Sequence, residues 1–110
     1  MIIANRSLYL RQGEEDVEVV VRIFAPEPDG GAWRCRYEIG WPEETRCSAA
    51  AGFDSIQAVL IALNMIGSDI YASDHHNSGV LRWGPPETGY GFPVPRTIRD
   101  LLIGDDAKFF

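Results

Sequence analysis

A chain of 110 residues has room for one hydrophobic core, because domains of ~100–150 residues are the usual size and a second core would be starved of buried surface. With 45% hydrophobic and 24% charged residues the composition is globular rather than disordered, so residues 1–110 read as a single domain. The net charge of −6 argues against nucleic acid as the main partner, since phosphate binding rests on clustered cations.

No run approaches the ~20 consecutive apolar residues of a membrane span. The start Met1-Ile2-Ile3-Ala4-Asn5-Arg6 lacks the basic head and apolar block of a signal peptide. The expectation is a cytoplasmic protein with no membrane attachment. Cys35 and Cys47 are too few for a disulfide scaffold and have no C-x-x-C spacing, so they are expected as reduced thiols, and no metal or other cofactor is expected.

In chain order, Ile2–Gln12 reads as a strand ending at the Gly13–Asp16 turn. In the next segment Val17, Val19, Val21 and Ile23 alternate with polar residues as in a half-buried strand. Pro26-Glu27-Pro28-Asp29-Gly30-Gly31 supplies the fixed and positive φ values of a turn. The following strand places Trp33, Cys35, Tyr37 and Ile39 on one face and Arg34, Arg36 and Glu38 on the other. A Gly40–Glu43 turn leads into Thr45–Ala49. Centring that turn on Trp41 puts Cys35 beside Cys47 on the core face and aligns Arg22, Arg36 and Arg46 across the outer face.

The helix start is marked by Asp54 as N-cap, with Gln57 three residues on. Ile56, Val59, Leu60, Leu63, Ile66 and Ile70 recur at helical spacing and define a sheet-facing stripe. The helix is predicted to run to about Ala72, roughly 28 Å at ~1.5 Å per residue. Beyond it, Gly79–Trp83 suggests a short strand, and Pro85–Pro95 is too rich in proline and glycine for regular structure. Thr97–Leu102 should give one or two helical turns, stopped by Gly104. The predicted fold class is α+β with two layers: an antiparallel four-stranded meander packed by one long helix, with an irregular Pro/Gly-rich C-terminal segment.

The Ile-rich start, the strand half with its Arg, Trp and Cys, the run Phe53-Asp54-Ser55-Ile56-Gln57-Ala58-Val59-Leu60-Ile61-Ala62-Leu63, the later Ile66-Gly67 and Tyr71, and Gly89-Tyr90-Gly91-Phe92-Pro93-Val94-Pro95 together resemble a family of short bacterial proteins of unknown function. The resemblance covers essentially the whole chain and implies a bacterial, single-domain protein. It brings no activity, ligand or catalytic residue.

Among groups able to carry chemistry, Asp74-His75-His76 combines imidazole and carboxylate, but adjacent side chains diverge and no second ligand set has metal spacing. Both cysteines are read as inward-facing, which suits small hydrophobes better than nucleophiles. No catalytic residue is assigned. The Arg22, Arg36 and Arg46 row offers bidentate donors to an acidic partner or anion, or forms an ion-pair lattice with Glu18, Glu38 and Glu44. Ile61 and Met65 lie opposite the predicted stripe on a helix with a single charge, Asp69. That face calls for cover by Tyr90–Pro95 or by another chain.

The leading functional expectation is therefore a non-enzymatic protein-binding or self-associating module, a homodimer included, with an immunity-like or inhibitory partner of basic proteins as one form. The alternative is a small-molecule binder or enzyme whose pocket, between the helix end and the aromatic tail, is lined by His76, Trp83, Tyr90 and Phe92.

Overall fold

The computed structural model describes residues 1–110. Six strands form one antiparallel sheet: β1 (Ile2–Gln12), β2 (Glu15–Phe24), β3 (Glu27–Asp29), β4 (Ala32–Gly40), β5 (Thr45–Gly52) and β6 (Leu81–Arg82). The helices are α1 (Ser55–Tyr71), α2 (Asp74–Asn77) and α3 (Gly104–Phe109), with a 3-10 helix over Arg96–Leu101. None is long and apolar enough to cross a membrane.

The sheet contains the expected meander β1-β2-β4-β5, but it has six strands rather than four. One extra strand arises at Pro26, whose missing N–H interrupts the second strand. The chain resumes as β3, pairing with Ala32–Arg34 of β4, whereas β2 pairs with Tyr37–Ile39. The other is β6, which pairs Arg82 with Tyr9 and Leu81 with Leu10 on the free edge of β1.

The β4–β5 register differs from expectation. Gly40 pairs with Thr45 across a four-residue connection, so Cys35 faces Ala50, Arg36 faces Ala49 and Cys47 faces Glu38. The offset from the predicted pairing is odd, and an odd offset sends every side chain of a strand to the other face. Cys35 is buried on the core side, while Cys47 is exposed on the outer side. Packing explains the outcome: Ser48, Ala50 and Gly52 now face α1, where a Cβ on Gly52 would stand only 2.5 Å from the Ala58 nitrogen.

The start of α1 follows its local code. Asp54 Oδ1 accepts from the Gln57 N–H at 2.7 Å, and Gln57 Oε1 accepts from the Phe53 N–H at 2.6 Å. The buried stripe is shifted, however. Ala58, Ala62, Ile66 and Ile70 are buried, but Ile56 is 70% and Leu60 54% exposed. The alanines let α1 settle closely over β4 and β5, and that roll turns Ile56 and Leu60 away from the sheet.

The C-terminal segment supplies the rest of the second layer. Tyr90, Phe92 and Val94 are buried, and the segment meets α1 at Gly67, where any Cβ would overlap the Pro93 carbonyl. Ile56, Leu60, Leu63, Gly67 and Tyr71 share one helical stripe. The tail thus covers the C-terminal part of that stripe and leaves its N-terminal part open. Residues 74–77 form a helical turn capped by Ser73, and Gly104 starts α3 instead of ending the chain's last helix.

Candidate functional site

Arg6 shares parity with Leu8 and Leu10, so β1 carries its guanidinium on the core side of the sheet. Its Nη1 donates to the carbonyls of Tyr90 and Gly91 at 3.1 and 2.8 Å. The guanidinium carbon sits 3.9 Å from the Trp83 ring centre and 4.8 Å from that of Phe92, within the range of cation–π attraction. Burial holds its pKa below the ordinary arginine value, against the opposing pull of the Asp106 charge.

Asp106 is the only buried charged residue, and it faces the other side of the same backbone. Its Oδ2 accepts from the Tyr90 N–H at 2.8 Å and the Tyr71 hydroxyl at 2.6 Å, and its Oδ1 accepts from the Gly91 N–H at 2.7 Å. The Tyr90-Gly91 peptide is therefore gripped from both sides by opposite charges. Gly91 has φ 76°, and a Cβ there would meet the Trp83 ring at 2.5 Å and Arg6 Nη1 at 2.7 Å, so glycine is required for conformation and for space.

Beside this unit lies a cavity of about 510 Å³ between β1, β2, α1 and the tail. Its apolar walls include Val21, Ile23, Leu60, Leu63, Phe92 and Phe110, and Arg6 is the only charged side chain among its lining residues. Asn5 and Asn64 add polar edges; Asn64 Nδ2 donates to the Leu60 carbonyl at 2.9 Å. The cavity follows from the fold. α1 covers β4 and β5, the tail reaches only part of β1 and β2, and the gap remains between them.

The predicted arginine row is not formed. Arg22 pairs with Glu38 and Arg36 with Ala49 on the outer face, where Arg36 stacks 4.7 Å from the centre of the Phe24 ring. Arg46 is on the helix side, bonded through Nε to Asp69 Oδ2 at 3.1 Å. Tyr37 also donates to Asp69, at 2.5 Å, and burial first, then this bond, pushes the phenol up to about 12. Asp69 therefore ties β4, β5 and α1 together.

Ile61 is 37% exposed and Met65 partly buried; the tail covers the neighbouring stripe, not theirs. The four residues expected around a pocket do come together, but mainly as packing. His76 Nδ1 lies 2.6 Å from the Tyr90 hydroxyl, and the His76, Tyr71 and Tyr90 rings meet edge-on with centres 4.8 to 5.4 Å apart. Burial lowers the His76 pKa and raises that of Tyr90 to about 12, so a neutral imidazole and a protonated phenol share this hydrogen bond. Trp83 and Phe92 stack on Arg6, and of the four only Phe92 lines the cavity beside Arg6.

His75 approaches Glu43 at 2.9 Å and stacks on Trp41, which closes the β4–β5 connection onto α2. No group of three His, Cys, Asp or Glu residues is arranged to hold a metal ion. Sequence reasoning missed Arg6 and Asp106; the parity of Arg6 with Leu8 and Leu10 was the available signal. No curated protein and no solved structure matches the chain. A family model does match residues 4–94, a stretch that holds Arg6, Gly67 and Tyr90-Gly91, and the chain thereby belongs to the family described as a domain of unknown function, DUF6968.

Proposed function

We propose that this domain binds a small apolar molecule in the gap between α1, the β1–β2 half of the sheet and the Gly91–Pro93 segment. One observation carries the reading: a cavity of about 510 Å³ lined by core-face residues such as Val21 and Ile23. That volume falls in the range of ligand sites, which are mostly apolar with a few placed polar groups. Leu60, 54% exposed, and the half-buried Leu63 on the helix side favour an occupant that completes their burial. The setting that suits this reading is the cytoplasm. Titrating the protein with decanol while following methyl resonances tests it. Shifts centred on Val21, Ile23, Leu60 and Leu63 are expected, and a titration that leaves those methyls unmoved would end the proposal.

A second reading, association with a protein or with another copy of this chain, is favoured by Phe53, Ile56 and Leu60, which are 91%, 70% and 54% exposed along one side of the α1 start. Apolar side chains grouped in this way mark interaction surfaces more often than chance exposure does. Sedimentation of the wild type and of Ile56→Glu separates the cases, because a dimer through this face becomes a monomer when the charge is introduced.

A further inference from the structure

Arg6 is the one arginine that is both turned toward the core side of the sheet and without a carboxylate in contact. Arg46 and Arg82 are bonded to Asp69 and Asp16 at 3.1 and 2.9 Å. The guanidinium of Arg6 instead uses only Nη1, toward two neutral carbonyls. Its Nε and Nη2 donors have no partner within the protein, although the side chain is held between two rings. Every buried side-chain polar atom of the protein has a partner, so these two donors are reachable from outside and free to take an acceptor that enters the cavity. The nearby Asp106 makes no ion pair with Arg6; its oxygens face Tyr71, Tyr90 and Gly91 instead.

We infer that the ligand of this cavity is an apolar monocarboxylic acid, its carboxylate on the free edge of Arg6 and its hydrocarbon part between Leu60 and Leu63 of α1 and Val21 and Ile23 of β2. This rests on the proposed function and adds the chemical class of the ligand. A planar carboxylate matches the fork geometry of guanidinium, which an ammonium donor would not offer. The single positive charge against apolar walls selects one anionic head and one apolar tail. A polyanion would find no second cation there, and a neutral lipid would leave Nε and Nη2 unpaired. The stacking of Trp83 and Phe92 fixes the guanidinium in advance, so little side-chain freedom is lost on binding.

The full-length protein is titrated calorimetrically with decanoate, decanol and decylamine, which share one hydrocarbon tail. Decanoate is expected to bind about tenfold or more tighter than decanol, with decylamine weakest. Arg6 also holds the tail, so its removal could disturb folding. The variant that separates these roles is Asn64→Asp, which adds a negative charge at the polar edge of the cavity without changing side-chain size. The ratio of decanoate to decanol affinity should fall about tenfold. Equal affinities for decanoate and decanol, or a preference for the amine, would overturn the carboxylate assignment and leave the apolar cavity reading standing. Failure of all three ligands to bind would remove both.

Discussion

Replacing Gly67 with alanine sets two effects against each other. In a helix interior, alanine is favoured over glycine by about 1 kcal/mol, so helix propensity alone predicts a stabilised protein. The structure predicts the reverse. A Cβ at Gly67 would overlap the Pro93 carbonyl and come within 3.0 Å of Val94, so α1 and the tail must separate. Overpacking of this kind costs about 1–3 kcal/mol. Beyond it, the loosened tail surrenders part of the burial of Tyr90, Phe92 and Val94, each worth ~1.5–3 kcal/mol when complete. After subtracting the propensity gain, a net loss of about 2 kcal/mol is expected. For a domain of this size that is a fall in Tm of roughly 8 °C or more. Thermal unfolding followed by circular dichroism measures it, and limited proteolysis between Gly84 and Pro95 should quicken in parallel. A rise in Tm would refute the docking of the tail on Gly67.

Asp106→Asn is nearly isosteric, but it turns one acceptor into a donor facing the N–H and O–H groups of Gly91, Tyr90 or Tyr71, and it removes the charge opposite Arg6. A loss of about 3 kcal/mol in urea unfolding is expected, and an unchanged midpoint would show that the buried carboxylate does not hold the tail. In native protein, thiol titration should label Cys47 at once and Cys35 only on unfolding, since burial shields Cys35 and raises its pKa; two fast thiols would contradict the β4–β5 register. His76 is held below its unfolded pKa of ~6.5 by burial, so the unfolded chain takes up the proton first. Stability contributed by neutral His76 is complete above that value and declines as pH falls from ~6.5 toward the folded pKa. The difference between wild type and His76→Asn across that window isolates the effect, and parallel curves would place the titration elsewhere.

Alternation and capping are local signals, which is why β2, β4 and the start of α1 could be placed from sequence. The Asp54 and Gln57 bonds depend only on neighbours, and α1 ends at Tyr71, one residue before the expected end. The register of β5 could not be read the same way. It turns on whether the connection at Trp41-Pro42 holds an odd or even number of residues, and the local residues permit both. The deciding contact, Gly52 against Ala58, exists only once the helix is docked. For the helix, size outweighed hydrophobicity: a stripe ranked by apolar character favours Ile56 and Leu60, while close packing favoured Ala58 and Ala62. Arg6 was hidden for a further reason, as its partners Trp83, Tyr90 and Phe92 stand more than seventy positions away.

The unequal fit of α1 to the two halves of the sheet has a consequence for how this protein can change over generations. On the β5 side, Gly52, Ala58 and Ala62 leave no room for growth, and Gly67 is blocked in the same way by the tail. At those four positions almost any larger residue should be rejected. On the β1 side the gap already holds space, so exchanges of size at Ala4, Leu60 or Leu63 can be absorbed without moving a backbone. Tolerance to size changes is therefore expected to be unequal, with one flank free and one closed to larger residues. The free flank surrounds Arg6, so what varies most easily is the shape of the space in front of a fixed positive charge.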